Sequence, residues 1–172
     1  MGKLYILDTG AFLSTWTQKQ IDAEFISTPS VYDELKNRTS RNRADTLISL
    51  DKLSLISGNP QVIKKVRDAA SEFGDRVVLS DTDIELIAVA LIYNQERESV
   101  MLVSTDLAVL NTAASLSIKI IDPKKRMRKT ILWIYRCEAC GRTEHRPPAN
   151  LECPVCGTIM HRKSKASSKV RK

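Results

Sequence analysis

Glycine is scarce in this chain of 172 residues: it occurs six times and never as G-x-G-x-x-G or G-x-x-x-x-G-K. That excludes the glycine-rich phosphate cradles of dinucleotide-binding and P-loop proteins. Histidine occurs twice, as His145 and His161, so no Ser-His-Asp set extends through the chain. No apolar stretch approaches the roughly 20 residues of a membrane span. The N-terminus runs directly into a strand-like segment, so no signal peptide is expected, and the chain is expected in the cytoplasm without membrane contact. Cysteine is absent before position 137, and all four copies fall between 137 and 156. One local site is therefore expected rather than a disulfide framework.

Acidic residues thin out towards the C-terminus. Residues 1–122 carry 13 Lys/Arg and 17 Asp/Glu, whereas residues 123–172 carry 14 Lys/Arg and 3 Asp/Glu. The overall charge of +7 thus hides a mildly acidic body and a strongly basic end. Such a split suits delivery of the body to a polyanion, because charge supplies most of the affinity for a phosphate backbone.

What is present in the body is an alternation of strands and helices. Leu4–Leu7, Phe25–Ser27, Leu53–Ser57, Val100–Val103 and Ile118–Ile121 read as strands, and Val77–Leu79 as a short apolar run. Thr28-Pro29 and Asn59-Pro60 read as N-cap and first-helical pairs. Helices are expected from Pro29 through Leu35, over Arg41–Leu50, from Pro60 to Phe73 with Gly74 as its stop, and over Leu107–Ala114. Another opens at the capping pair Ser80 and Asp83, is apolar nearly all round to Tyr93, and should be buried. This order predicts an α/β fold, a parallel sheet flanked by helices over residues 1–122. Lys124, Lys125, Arg126, Arg128 and Lys129 then form a basic linker over 123–131, the expected nucleic-acid contact. Ile131–Tyr135 reads as a strand leading into a small module over 132–162, and residues 163–172 as a disordered basic tail.

Cys137-Glu138-Ala139-Cys140-Gly141 and Cys153-Pro154-Val155-Cys156-Gly157 are two C-x-x-C-G knuckles. Two disulfides, a thioredoxin-type motif and iron are the alternatives. A redox pair comes singly, however, and four thiolates close a tetrahedral structural zinc site. A module of this size lacks a self-sufficient core, so the metal is expected to fold it. The histidines read as surface residues, since four sulfurs fill the shell.

Strand-to-carboxylate junctions recur at Leu7-Asp8 and near Val103, where Ser104-Thr105-Asp106 follows. In open α/β sheets ligands bind beyond the carboxyl ends of the strands. Acids gathered there repel one another unless a cation with oxygen ligands lies between them. Singly, Asp83 also reads as a helix-dipole partner, Asp106 as a cap and Glu34 as a solvated residue. Together, Leu7-Asp8-Thr9, Pro29 with Glu34, Leu79-Ser80-x-x-Asp83 and Ser104-Thr105-Asp106 resemble the signature of PIN-domain nucleases. With the basic linker and four-cysteine ribbon, the order resembles the archaeal Nin-one-binding ribosome-maturation endonucleases. The resemblance implies a PIN-like sheet and a metal-dependent endoribonuclease with Asp8, Glu34, Asp83 and Asp106 as catalytic ligands of magnesium or manganese. It also implies one structural zinc ion and cleavage of small-subunit ribosomal RNA precursor at its mature 3′ end. The small ribosomal subunit and other assembly factors are the implied partners. A toxin-type PIN ribonuclease, a receiver or haloacid-dehalogenase phosphate-transfer domain, and a non-catalytic assembly protein are the rivals. Gly10 stands where a D-x-D motif needs its second acid, and no acid of the four is replaced by Asn, Ser or Ala. Asp81 and Glu85 crowd the third motif.

Overall fold

The computed structural model describes residues 2–72, 78–96, 99–127 and 129–169. In the body, β1 (Lys3–Leu7), β2 (Ala23–Ser27), β3 (Leu53–Leu55), β4 (Val100–Val103) and β5 (Lys119–Ile121) form one parallel sheet in the order β3-β2-β1-β4-β5. The chain steps outward from β1 on one side to β2 and β3, and on the other to β4 and β5. The carboxyl end of the sheet therefore has a crevice at the β1/β4 pair, where the winding reverses.

The helices follow their capping signals. Thr28 Oγ1 accepts from Val31 N at the start of α2 (Pro29–Asp33). Asn59 Oδ1 accepts from Gln61 N at the start of α4 (Pro60–Glu72). Asp83 and Ser80 cap α5 (Asp81–Glu96) reciprocally, Ser80 N donating to Asp83 Oδ2 and Asp83 N to Ser80 Oγ. Along α5, Ile84, Leu86, Ile87, Ala88, Val89 and Ala90 are buried, as its all-round apolar character requires. Helix α3 (Arg38–Ser49) starts three residues before the sequence expectation, because Asn37 caps it through Thr39 N and Ser40 N ahead of the first buried side chains. The short α1 (Thr9–Leu13) was not expected from the sequence; five residues carry no period, and its cap is Asp8 itself. Helix α6 (Leu107–Ser115) completes the body. Phe73, Gly74 and Val77, part of the expected α4 end and apolar run, lie outside the described residues; Val78 is in a turn and Leu79 is buried.

The C-terminal module is a second, antiparallel sheet: β6 (Lys129–Cys137) lies between β7 (Thr143–Glu144) and β8 (Met160–Lys169). Residues 163–169 were expected to be disordered; instead β8 runs through them, paired with β6 back to Lys129. The residues of this stretch are Lys, Ser and Ala, so side chains give no apolar period, and the backbone ladder orders it. On β6, Trp133 takes the Arg162 guanidinium over its ring at 4.1 Å. The module docks on the body through Asn111 of α6, which is buried. Its Nδ2 donates to Ile131 O at 2.7 Å and its Oδ1 accepts from Ile131 N at 2.6 Å. Among the described residues, no helix is long and apolar enough to cross a membrane.

Candidate active site and metal centre

The four acids come from four different elements. Asp8 follows β1 and is 8% exposed; its N–H continues the ladder to Val103 O at 3.1 Å. Its Oδ1 accepts from Thr9 N at 2.6 Å, and its Oδ2 from the Ser104 hydroxyl. Ser104 Oγ in turn accepts from Asp106 N, and Asp106 Oδ1 caps α6 through Ala108 N. Glu34 is the exposed C-cap of α2, and Thr9 Oγ1 reaches its Oε2 at 3.3 Å. Asp83 is half-buried in the first turn of α5.

Electrostatics joins these positions. Burial pushes the Asp8 carboxyl up to about 6, and the charges of Asp83 and Asp106 push the same way, against hydrogen bonds from Ser104 and Thr9. Burial also raises Asp83, with Asp106 and Glu34 adding to the effect. Among the described residues, none of the four acids forms an ion pair. An all-oxygen, uncompensated set of this kind fits a hard divalent cation. The carboxylates are spread more widely than the sulfurs of the second site: among the described residues, only the four cysteines bring three or more candidate ligand atoms within 4.8 Å of one another.

The crowded third motif separates by geometry. Asp81 forms an exposed ion pair with Arg67 at 2.9 Å. Glu85 points into the fold, accepting from Ser30 Oγ at 2.5 Å and from Gly58 N at 3.0 Å. It braces α2, which carries Glu34, against α5. Ser104, as the residue that holds Asp8, was not singled out from the sequence, although it stands in the motif that carries Asp106.

Of the five basic linker residues, Lys124 and Lys125 are exposed, and Lys129 opens β6. Arg126 reaches back to the backbone of Thr105. Arg128 lies outside the described residues.

In the ribbon, Cys137 Sγ lies 3.4 Å from Cys156 Sγ, and Cys140 Sγ lies 3.5 Å from Cys153 Sγ. Those spacings exceed the roughly 2.05 Å of a disulfide. They approach the ~3.8 Å between sulfurs that each sit about 2.3 Å from one tetrahedral zinc. The knuckles repeat each other: Gly141 N donates to Cys137 O and Gly157 N to Cys153 O, with φ of 76° and 73°. Only glycine adopts that left-handed turn without strain. The turns aim donors at sulfur. The Thr158 hydroxyl and N–H draw the Cys156 thiol down to about 6, and the Val155 N–H lowers Cys153. These four sulfurs can hold one metal ion.

Comparison with known proteins agrees with this architecture. A family model described as the PIN domain of ribonuclease matches residues 5–92. Endoribonuclease Nob1 of Pyrococcus abyssi is 33% identical over 89% of both chains. Ribonuclease VapC1 of Thermoplasma acidophilum is 29% identical over 100% of this chain and 84% of its own. The 20S-pre-rRNA D-site endonuclease nob1 of Schizosaccharomyces pombe is 35% identical over 54% of this chain and 23% of its own. With a sheet that gathers acids at its switch point, a four-cysteine ribbon and relatives of this kind, the chain belongs to the PIN-domain endoribonucleases, alongside the Nob1 enzymes.

Proposed function

We propose that this endoribonuclease cuts small-subunit ribosomal RNA precursor at its mature 3′ end, using magnesium or manganese held by Asp8, Glu34, Asp83 and Asp106. The observation that supports the active-site assignment is the shared field of carboxylates at the β1/β4 switch point, none of which forms an ion pair among the described residues. Bound there, a divalent cation supplies polarisation of the phosphodiester and a water of lowered pKa. The protein's own part is placement. Ser104 and Thr9 fix the Asp8 carboxylate, the reciprocal Ser80 cap fixes Asp83, and Glu85 with Ser30 holds the helix that ends in Glu34. Ribosomal precursor as substrate is supported by the fission-yeast relative's name and by the basic C-terminal segment. The whole-chain match to a VapC ribonuclease favours a second reading, a toxin-type nuclease acting on other RNAs.

The experiment is incubation of the purified chain with precursor RNA and manganese, with cuts mapped to the nucleotide. One cut at the mature 3′ end, lost on chelation, is expected. Cuts scattered over unrelated RNAs favour the toxin reading, and no cut rejects both.

Gly10 tests how closely the acid-bearing loops must approach. A Cβ there would lie 3.1 Å from Thr105 Cβ and 3.2 Å from Thr105 Cγ2, and closer still to the Thr105 hydroxyl. Gly10→Ala must turn the Thr105 hydroxyl aside and shift Thr105 by a few tenths of an ångström. Overpacking of this kind costs about 1–3 kcal/mol. A misplacement near 1 Å costs on the order of a hundredfold in rate, and this smaller shift should cost less than that. Urea titration and single-turnover cleavage are the measurements; unchanged kinetics would show that the two loops need not be in register.

A further inference from the structure

The loop after β5 brings a cation to the loop that carries Asp106. Val103 of β4 is in register with Ile121 of β5, and Ser104 N donates to Ile121 O, so residue 122 emerges level with the acid-bearing loop. Asp122 then folds the chain around its own side chain: its Oδ1 accepts from Lys124 N, and its Oδ2 from Arg126 N at 2.6 Å and Met127 N at 3.0 Å. Met127 packs against the core and anchors the far end of this turn. Arg126 folds back towards β4: its Nη2 donates to the Thr105 carbonyl, between Ser104 and Asp106. Lys124 and Lys125 are exposed, and neither has a side-chain hydrogen bond or ion pair among the described residues.

The bond to a neutral carbonyl uses one of five guanidinium donors, and among the described residues Arg126 has no carboxylate partner. Arg126 is exposed at this rim. A polyanion approaching four carboxylates is repelled, and a fixed cation at the edge offsets that repulsion. Guanidinium also matches phosphate oxygens bidentately, which an ammonium does not.

The geometry points to Arg126 as a substrate-binding residue that grips an RNA phosphate next to the scissile one, with the Asp122 turn as its mount. This rests on the nuclease reading of the acid site but assigns a task to a residue outside it. The grip lies on a flanking phosphate, so its loss weakens binding and leaves the cleavage step alone.

The test compares the full-length chain with Arg126→Gln and Arg126→Lys, using a short labelled single-stranded oligoribonucleotide in manganese over a range of potassium chloride. Gln removes the charge and, being shorter, also the bond to the Thr105 carbonyl, so the salt slope and the turnover rate read the two roles separately. In Arg126→Gln, KM and Kd should rise about tenfold, as for a lost charge-assisted hydrogen bond. The plot of log affinity against log salt should flatten by ~0.7, one single-strand phosphate contact. The turnover rate should stay within about twofold, the pattern of lost uniform binding. Arg126→Lys should restore the slope and only part of the affinity. Wild-type affinity and slope in Arg126→Gln would overturn the assignment. So would a fall in turnover with the slope unchanged, which would make Arg126 a brace for the Thr105 loop. If the wild-type chain binds the RNA without cutting it, the nuclease reading fails, while the binding slopes still decide the role of Arg126.

Discussion

Replacing Asp8 by Asn is expected to remove cleavage and at the same time make the metal-free protein more stable. The carboxylate is 8% exposed at the end of β1, and its position is set by Thr9 N and Ser104 Oγ. Asn preserves the shape, still caps α1, and accepts from Thr9. What it loses is the charge, and with it the means to hold a cation; a drop in rate on the order of a thousandfold is expected. RNA affinity should be nearly unchanged, because the basic segment is intact.

The stability gain follows from the sign of the pKa displacement. Below the ordinary carboxyl value of 3.8, folded and unfolded chains both hold the proton. Between 3.8 and about 6, the folded chain keeps a proton that the unfolded chain has lost, so raising the pH through this window removes stability. Above about 6 the penalty is complete, because the buried group must ionise beside Asp83 and Asp106. A pKa unit is worth about 1.4 kcal/mol, which sets an upper figure of about 3 kcal/mol at neutral pH. In a chain of this size 1 kcal/mol moves the melting temperature by roughly 2–4 °C. Melting in chelator at pH 7 should therefore place Asp8→Asn about 5 °C above wild type, and the gap should close towards pH 4. Manganese should raise the wild-type transition by mass action and leave the variant's in place. Equal melting temperatures in chelator would mean that Asp8 is not strained by its neighbours.

The contrast between Asp8 and its surroundings marks what the sequence carried and what it hid. Apolar runs followed by caps made the five parallel strands and the long helices legible, because burial and capping leave periodic, local traces. The strand-end and helix-end positions of the four proposed acids were legible because each lies where such an element begins or ends. The supports of the site were not. Ser104 holding Asp8, Glu85 bracing Ser30, and Arg126 returning to Thr105 span 96, 55 and 21 positions, and no local pattern encodes a contact of that reach. The strand over residues 163–169 was hidden for a different reason: its partner β6 supplies the order through backbone bonds, which composition does not reveal.

The ribbon carries the second large effect. Its buried cluster among the described residues consists of Tyr135, Cys137, Cys153 and Met160, so half of that core is cysteine of the four-sulfur site. Four residues bury far too little apolar surface to offset the conformational entropy of some forty. Cys153→Ser replaces a thiolate that lies 3.5 Å from Cys140 Sγ and leaves three ligands. One bound zinc, in amounts equal to the chain, is expected in the wild type, with structural sites of this class worth ~10 kcal/mol or more. In the variant the zinc should be lost, and amide exchange should become fast along β6, β7 and β8. Strands β1 to β5 should keep their protection, since their helices and sheet form a separate core. The boundary between the two outcomes should fall at the Asn111 clamp on Ile131, where the first ladder residues of β6 are held by the body rather than by the metal. Zinc retained by the variant would show that Cys153 is not a required ligand, and protection lost equally in both sheets would show that the ribbon and the nuclease body do not fold as separate units. Cleavage of a short oligoribonucleotide should survive the substitution in reduced measure, because Asp8, Glu34, Asp83 and Asp106 all belong to the part that stays folded.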